Sequence, residues 1–103
     1  MKHKILAVVT ALTLAASANV AFAKGDAAAG KAKAAACAGC HGAKGISMAP
    51  NYPNLAGQKA AYITKQLKAF KDGTRAEPTM KAMTAPLSDA DMENLGAYYE
   101  GMK

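Results

Sequence analysis

The sequence predicts an all-α fold, with an N-terminal, a middle and a C-terminal helix joined by two loops. Three observations carry this. An alanine-rich run follows Asp26, residues 58–71 have an amphipathic helical period, and Ser88 with Asp91 marks the start of a final helix. No alternating strand pattern, internal repeat or low-complexity linker is visible in the 103 residues.

The first 23 residues stand apart. Lys2, His3 and Lys4 form a basic start, residues 5–16 are mostly apolar, and Ala21-Phe22-Ala23 has the small-x-small form of a signal-peptidase site. The apolar run is short for a bilayer span and ends near the polar Ser17 and Asn19. The expectation is therefore a signal peptide over 1–23, cleaved after Ala23, with no stable membrane insertion afterwards. Export places the mature chain in the periplasm. That chain is a single domain over 24–103, 80 residues long. An apolar core alone stabilises so short a chain only marginally, and there is no room for a second catalytic domain.

The elements follow in order. Asp26 is suited to cap a helix over 27–36, and Gly30 inside it costs about 1 kcal/mol relative to alanine, which close approach of another helix would explain. That helix leads into Cys37. Residues 42–57 form a loop punctuated by Gly42, Gly45, Pro50, Pro53 and Gly57. In the middle helix Tyr62, Ile63, Gln66, Leu67 and Phe70 share one face, Lys65, Lys68 and Lys71 occupy the remainder, and Gly73 is a stop. Residues 74–86 are expected as a second loop or short-turn segment, holding Met80 and Met83 between Pro78 and Pro86. Ser88 and Asp91 then make a capping box, Leu87 and Met92 a hydrophobic staple, and Met92, Leu95 and Tyr99 the inward stripe of a helix ending near Glu100.

The chemistry is concentrated in Cys37-Ala38-Gly39-Cys40-His41. Two thiols three positions apart, with histidine directly after the second, form the attachment signature for a c-type haem. Each thiol adds to one vinyl group of the porphyrin, and the imidazole beneath the iron is the proximal ligand. A thioredoxin-like redox pair, half of a zinc site and a structural disulfide are the competing readings. A disulfide across so small a loop stabilises little, and none of these explains His41. A backbone carbonyl near Pro50-Asn51, nine residues on, is placed to accept the proton on the far ring nitrogen of His41.

The opposite axial position is read by elimination. The chain has two histidines, and His3 leaves with the signal peptide. Five methionines remain, of which Met48 is too near His41, Met92 belongs to the final helix and Met102 to the chain end. Met80 and Met83 are both far enough along to reach the other haem face, and spacing alone does not separate them.

The mature chain carries 11 basic and 7 acidic side chains, a formal +4. This balance serves solubility and steers the protein toward acidic docking surfaces. The lysines are scattered and no base-stacking motif is present, so nucleic acid is not an expected partner.

Together these marks resemble the class I cytochromes c, above all the small periplasmic monohaem cytochromes of bacteria and the individual halves of their dihaem relatives. The likeness rests on Gly25-Asp26, Cys37-x-x-Cys40-His41-Gly42, the run from Ala49 to Gln58, Tyr62-x-x-Lys65-Gln66-Leu67, Met80-x-x-Met83 and Leu87-Ser88-Asp89. It covers essentially all of 24–103. The resemblance implies one covalent haem c, N- and C-terminal helices packed together, and loops wrapping the haem. It implies Met80, seven residues before Leu-Ser-Asp, as the iron ligand opposite His41, with Met83 the fallback, and the Pro50 carbonyl as acceptor for the His41 ring. Tyr62, Gln66 and Arg75 are the candidates for the haem propionates. The implied role is one-electron transfer between redox partner proteins, without catalysis. A cytochrome subunit of a dehydrogenase or oxidase complex and an open-site haem sensor are the alternatives.

Overall fold

The computed structural model describes residues 25–102, which form five helices and no strand. The signal peptide expected over 1–23 lies outside the described residues. Helix α1 is Ala27–Ala34, α2 is Ala38–His41, α3 is Ala60–Asp72, α4 is Pro78–Thr84 and α5 is Asp89–Glu100. No helix among the described residues is long and apolar enough to cross a membrane.

Asp26 caps α1 as expected, its carboxylate accepting from the backbone N–H of Ala28 at 2.9 Å and Ala29 at 3.4 Å. The helix stops at Ala34, and a turn over 35–37 delivers Cys37. In α3, Ile63, Leu67 and Phe70 are buried, Gln66 is half-buried and Tyr62 is half exposed. Gly73 closes that helix at φ 86°, a left-handed conformation that glycine adopts without a Cβ penalty. Both halves of the capping box at Ser88 and Asp91 are present, and α5 buries Met92, Leu95 and Tyr99.

One expectation fails. Residues 78–84 are a two-turn helix, not a loop. Pro78 occupies its first turn, where a missing N–H costs nothing because that donor has no intrahelical partner. A proline that looked like loop punctuation is a helix start.

Helices α1 and α3 both pack on α5, and α4 packs on α3. At the α1–α5 crossing a Cβ on Gly30 would lie 2.0 Å from the Asn94 carbonyl oxygen, so only glycine permits this approach. The Asn94 side chain reinforces the junction by accepting from the Asp26 backbone N–H at 2.7 Å. The core between these helices is Ala34, Ile63, Leu67, Met92, Leu95 and Tyr99, with Cys37, Leu55, Met80 and Leu87 packed at its margin. Each large apolar side chain buried there contributes about 1.5–3 kcal/mol. Core and candidate site thus share a wall.

Candidate functional site

The turn after α1 builds the first half of the site. The Cys37 N–H donates to the Ala34 carbonyl at 2.8 Å, and the Cys37 carbonyl accepts from Cys40 at 3.2 Å and His41 at 2.9 Å. Cys37, Cys40 and His41 are therefore residues i, i+3 and i+4 of one helical turn, a spacing that gathers side chains on one side. Ala38 and Gly39 between them are small. Both cysteines are free; Cys37 is half-buried and Cys40 exposed. Burial pushes the Cys37 thiol up, against a hydrogen bond with the Tyr99 hydroxyl that lowers it and the nearby Cys40 that raises it further. The free Cys37 side chain is accordingly held as the neutral thiol. Burial also raises Tyr99, which stays a neutral phenol.

His41 is buried, 6% exposed, and its ring Nδ1–H donates to the Pro53 carbonyl at 2.8 Å. A carbonyl only accepts, so this bond places the proton on Nδ1 and leaves the Nε2 lone pair free for a metal. The Tyr52 ring stands edge-on to the imidazole, centroids 6.3 Å apart.

The acceptor is a correction to the expected Pro50. Pro50 is exposed at the outer end of the loop, in a turn closed by the Tyr52 N–H on the Ala49 carbonyl at 3.2 Å and by the Ser47 hydroxyl on the same carbonyl at 2.8 Å. Beyond that turn the chain doubles back. The Asn54 side chain accepts from the Ser47 N–H at 2.8 Å, and the Gly45 carbonyl accepts from Leu55 at 2.8 Å and Ala56 at 3.0 Å. This return brings the Pro53 carbonyl, and not that of Pro50, to the ring. The signal was present as a second Pro-Asn step, Pro53-Asn54, whose asparagine ties the two limbs together.

The methionines sort by environment. Met92 is 1% exposed in the core and Met102 packs at its margin. Met48 is 99% exposed at the loop tip, and Met83 is 40% exposed on α4. Met80, on the same helix, is half-buried against the core cluster. Its N–H donates to the Glu77 carboxylate at 2.8 Å, and its carbonyl accepts from the Thr84 hydroxyl at 2.8 Å. Sequence reasoning named neither Glu77 nor Thr84, because it assigned no helix there. Among the propionate candidates, the Arg75 guanidinium donates to the Gln66 side chain at 2.9 Å and lies 4.5 Å over the Phe70 ring, while Tyr62 stands apart and half exposed.

The residues fit the haem that Cys-x-x-Cys-His implies. The donor set is two free thiols, one imidazole with a fixed tautomer and a thioether. The flanking segments also carry apolar side chains that the polypeptide leaves uncovered: Ile46 and Tyr52 in the first loop, Tyr62 on α3 and Met83 on α4. A porphyrin is the kind of apolar surface such side chains need.

Comparison with known proteins gives the same reading. The cytochrome c family model matches residues 27–103. Cytochrome c4 of Pseudomonas aeruginosa is 49% identical over 85 residues, a match covering 82% of this chain and 42% of that protein. Cytochrome c-554(548) of Halomonas halodenitrificans is 44% identical over 82 residues, covering 77% of this chain and 99% of that one. The solved structure of reduced recombinant cytochrome c4 from Pseudomonas stutzeri superposes with a TM-score of 0.73 at 44% identity, covering 77% of this chain and 46% of its own. The chain spans about half the length of the cytochrome c4 relatives it matches.

Proposed function

The chain belongs to the cytochrome c family, as an all-α class I c-type cytochrome with one covalently bound haem c, and on that premise we propose that it is a periplasmic one-electron carrier with iron held between His41 and Met80. In this reading residues 1–23 direct export and 24–103 form the single working domain.

Cys37 and Cys40 would hold the haem through thioethers to its two vinyl groups. His41 offers Nε2 to the iron, with Pro53 holding the ring and increasing its basicity. Met80 would offer its soft thioether as the second ligand, which would favour ferrous iron and raise the reduction potential. The haem supplies the one-electron exchange between ferric and ferrous iron, and the polypeptide orients its ligands and excludes water. With His41 and Met80 both holding the iron, no substrate would need to reach it.

The observation that carries the Met80 assignment is its place: half-buried on the core wall, with both of its peptide groups hydrogen-bonded to side chains, while Met83 and Met48 face outward. Partners are redox proteins bearing acidic surfaces. Lys44, Lys59, Lys65 and Lys68 are exposed, and the single ion pair among the described residues is Lys33 with Asp91 at 3.6 Å. Encounters guided by such charges weaken as salt is added.

Carbon monoxide tests the assignment. The reduced protein should keep a low-spin spectrum that carbon monoxide barely alters, whereas Met80→Ala should bind it promptly and show a lower reduction potential. Prompt, complete binding by the unaltered protein would remove Met80 as the ligand.

A further inference from the structure

We infer that Glu77 and Thr84 are positioning residues for the sixth ligand, holding the two peptide groups of Met80 from opposite sides so that its thioether stays on the iron. This rests on the reading of Met80 as that ligand.

A methionine side chain turns about several soft bonds and adapts readily to its surroundings, so the precision of its sulfur comes from how firmly its backbone is held. Helix α4 is a weak platform by itself. It has seven residues, and a helix of two turns is unstable in water without anchors.

The anchors converge on Met80. Glu77 is extended, at φ −153° and ψ 106°, and its carboxylate accepts from the Met80 N–H at 2.8 Å. Aspartate, serine, threonine and asparagine are the usual residues at this capping position. Here the longer glutamate supplies a charged acceptor, a stronger partner than a hydroxyl.

Thr84 is the more telling residue. It is 1% exposed, and among the described residues its hydroxyl donates only to carbonyls of its own helix, Met80 at 2.8 Å and Lys81 at 3.2 Å. Burying a hydroxyl costs free energy that valine or alanine would not incur. Bonding back to the carbonyl four residues earlier does nothing for helix stability and often bends the helix. Stability of α4 therefore does not account for threonine here, whereas a second grip on the Met80 peptide does.

The far end of α4 is tied down separately. The Leu87 N–H donates to the Thr84 carbonyl at 3.0 Å, and the Lys71 ammonium of α3 donates to the Leu87 carbonyl. Among the described residues Met83, one turn further along, finds no such side-chain partners for its peptide, and it is 40% exposed. The two methionines differ in how their backbones are held.

The test uses the haem-loaded protein and follows two signals well below the melting temperature: the ferric methionine-to-iron charge-transfer absorption and the rate of carbon monoxide binding to the ferrous form. Thr84→Val keeps the shape and removes the donor; Glu77→Ala removes the acceptor at an exposed position. Each should weaken the absorption and speed carbon monoxide binding about fivefold, the factor that corresponds to losing one helix cap. Thr84→Ser should restore both signals. Wild-type signals in Thr84→Val and Glu77→Ala, alongside prompt binding in Met80→Ala, would overturn the positioning role and leave the ligand assignment standing. A Met80→Ala protein that binds no faster than wild type would instead overturn the ligand assignment. Should Thr84→Val fail to take up haem, Glu77→Ala decides alone.

Discussion

The α1–α5 junction and the loop side of the molecule solve burial in opposite ways. At the junction the chain completes itself. Gly30 lets α1 reach the Asn94 carbonyl, the Asn94 side chain accepts from Asp26, and Met92, Leu95 and Tyr99 are 1–3% exposed. Elsewhere, residues 42–57, the start of α3 and α4 leave Ile46, Tyr52, Tyr62 and Met83 39–55% exposed. The same chain that packs one corner tightly carries uncovered apolar groups elsewhere. The difference teaches that one part of the fold is completed by polypeptide alone, while the other leaves apolar side chains that a haem would cover.

Removing the attachment points breaks this division most severely. In the double variant Cys37→Ala, Cys40→Ala the intact mass should lack the haem increment. Amide hydrogen exchange should then accelerate first and most over 42–57 and 78–84, with the α1–α5 contact the last to lose protection. Uniform loss of protection would mean that the junction has no stability of its own and that the contrast is only apparent.

The converse change attacks the self-sufficient corner. A Cβ at Gly30 would stand 2.0 Å from a backbone oxygen, which cannot swing aside as a side chain can. Gly30→Val should destabilise the holoprotein by about 3 kcal/mol. For a domain of this size that lowers the melting temperature by roughly 15 °C. The visible spectrum of the protein that remains folded should not change, because a side chain at position 30 meets Asn94 and Tyr98 and none of the proposed haem ligands. An altered spectrum with an unchanged melting point would reverse the roles assigned to the two regions.

The two regions also differed in how legible they were. The haem motif is five consecutive residues whose chemistry depends on spacing alone, so it needs no fold to be read. The junction was legible because its signals are local: a glycine inside an alanine helix, and a serine and an aspartate three positions apart before an apolar stripe. The loop side was read less well. The resemblance implies the Pro50 carbonyl, nine residues past His41, whereas the Ala49–Tyr52 turn sends the chain back on itself and brings the Pro53 carbonyl to the ring. Helix α4 was missed because Pro78 and Pro86 bracket a segment too short to show a period, and its cap, Glu77, is not one of the usual capping residues. What holds Met80 is made of contacts between side chains and backbone that no spacing rule encodes.

The smallest expected effect sharpens the comparison through pH. The Ser88 side chain accepts from the Asp91 N–H at 3.1 Å, and the Asp91 carboxylate accepts from the Ser88 N–H at 3.0 Å. That backbone bond, with help from the Ser88 hydroxyl and Lys33, holds the Asp91 carboxyl below the usual range. A carboxylate whose value is depressed by folding stabilises the native state fully above its unfolded value, about 3.9, and loses that contribution as pH falls through the lower folded value. Asp91→Asn should therefore melt lower than wild type at neutral pH and converge with it in acid. Ser88→Ala, which removes the other half of the box, should cost about 1 kcal/mol at neutral pH. Neither change should alter carbon monoxide binding, because the capping box belongs to the corner that the polypeptide completes by itself. A change in that rate in either variant would show that the start of α5 and the iron ligands are mechanically coupled, and the division of the fold into two regions would have to be redrawn.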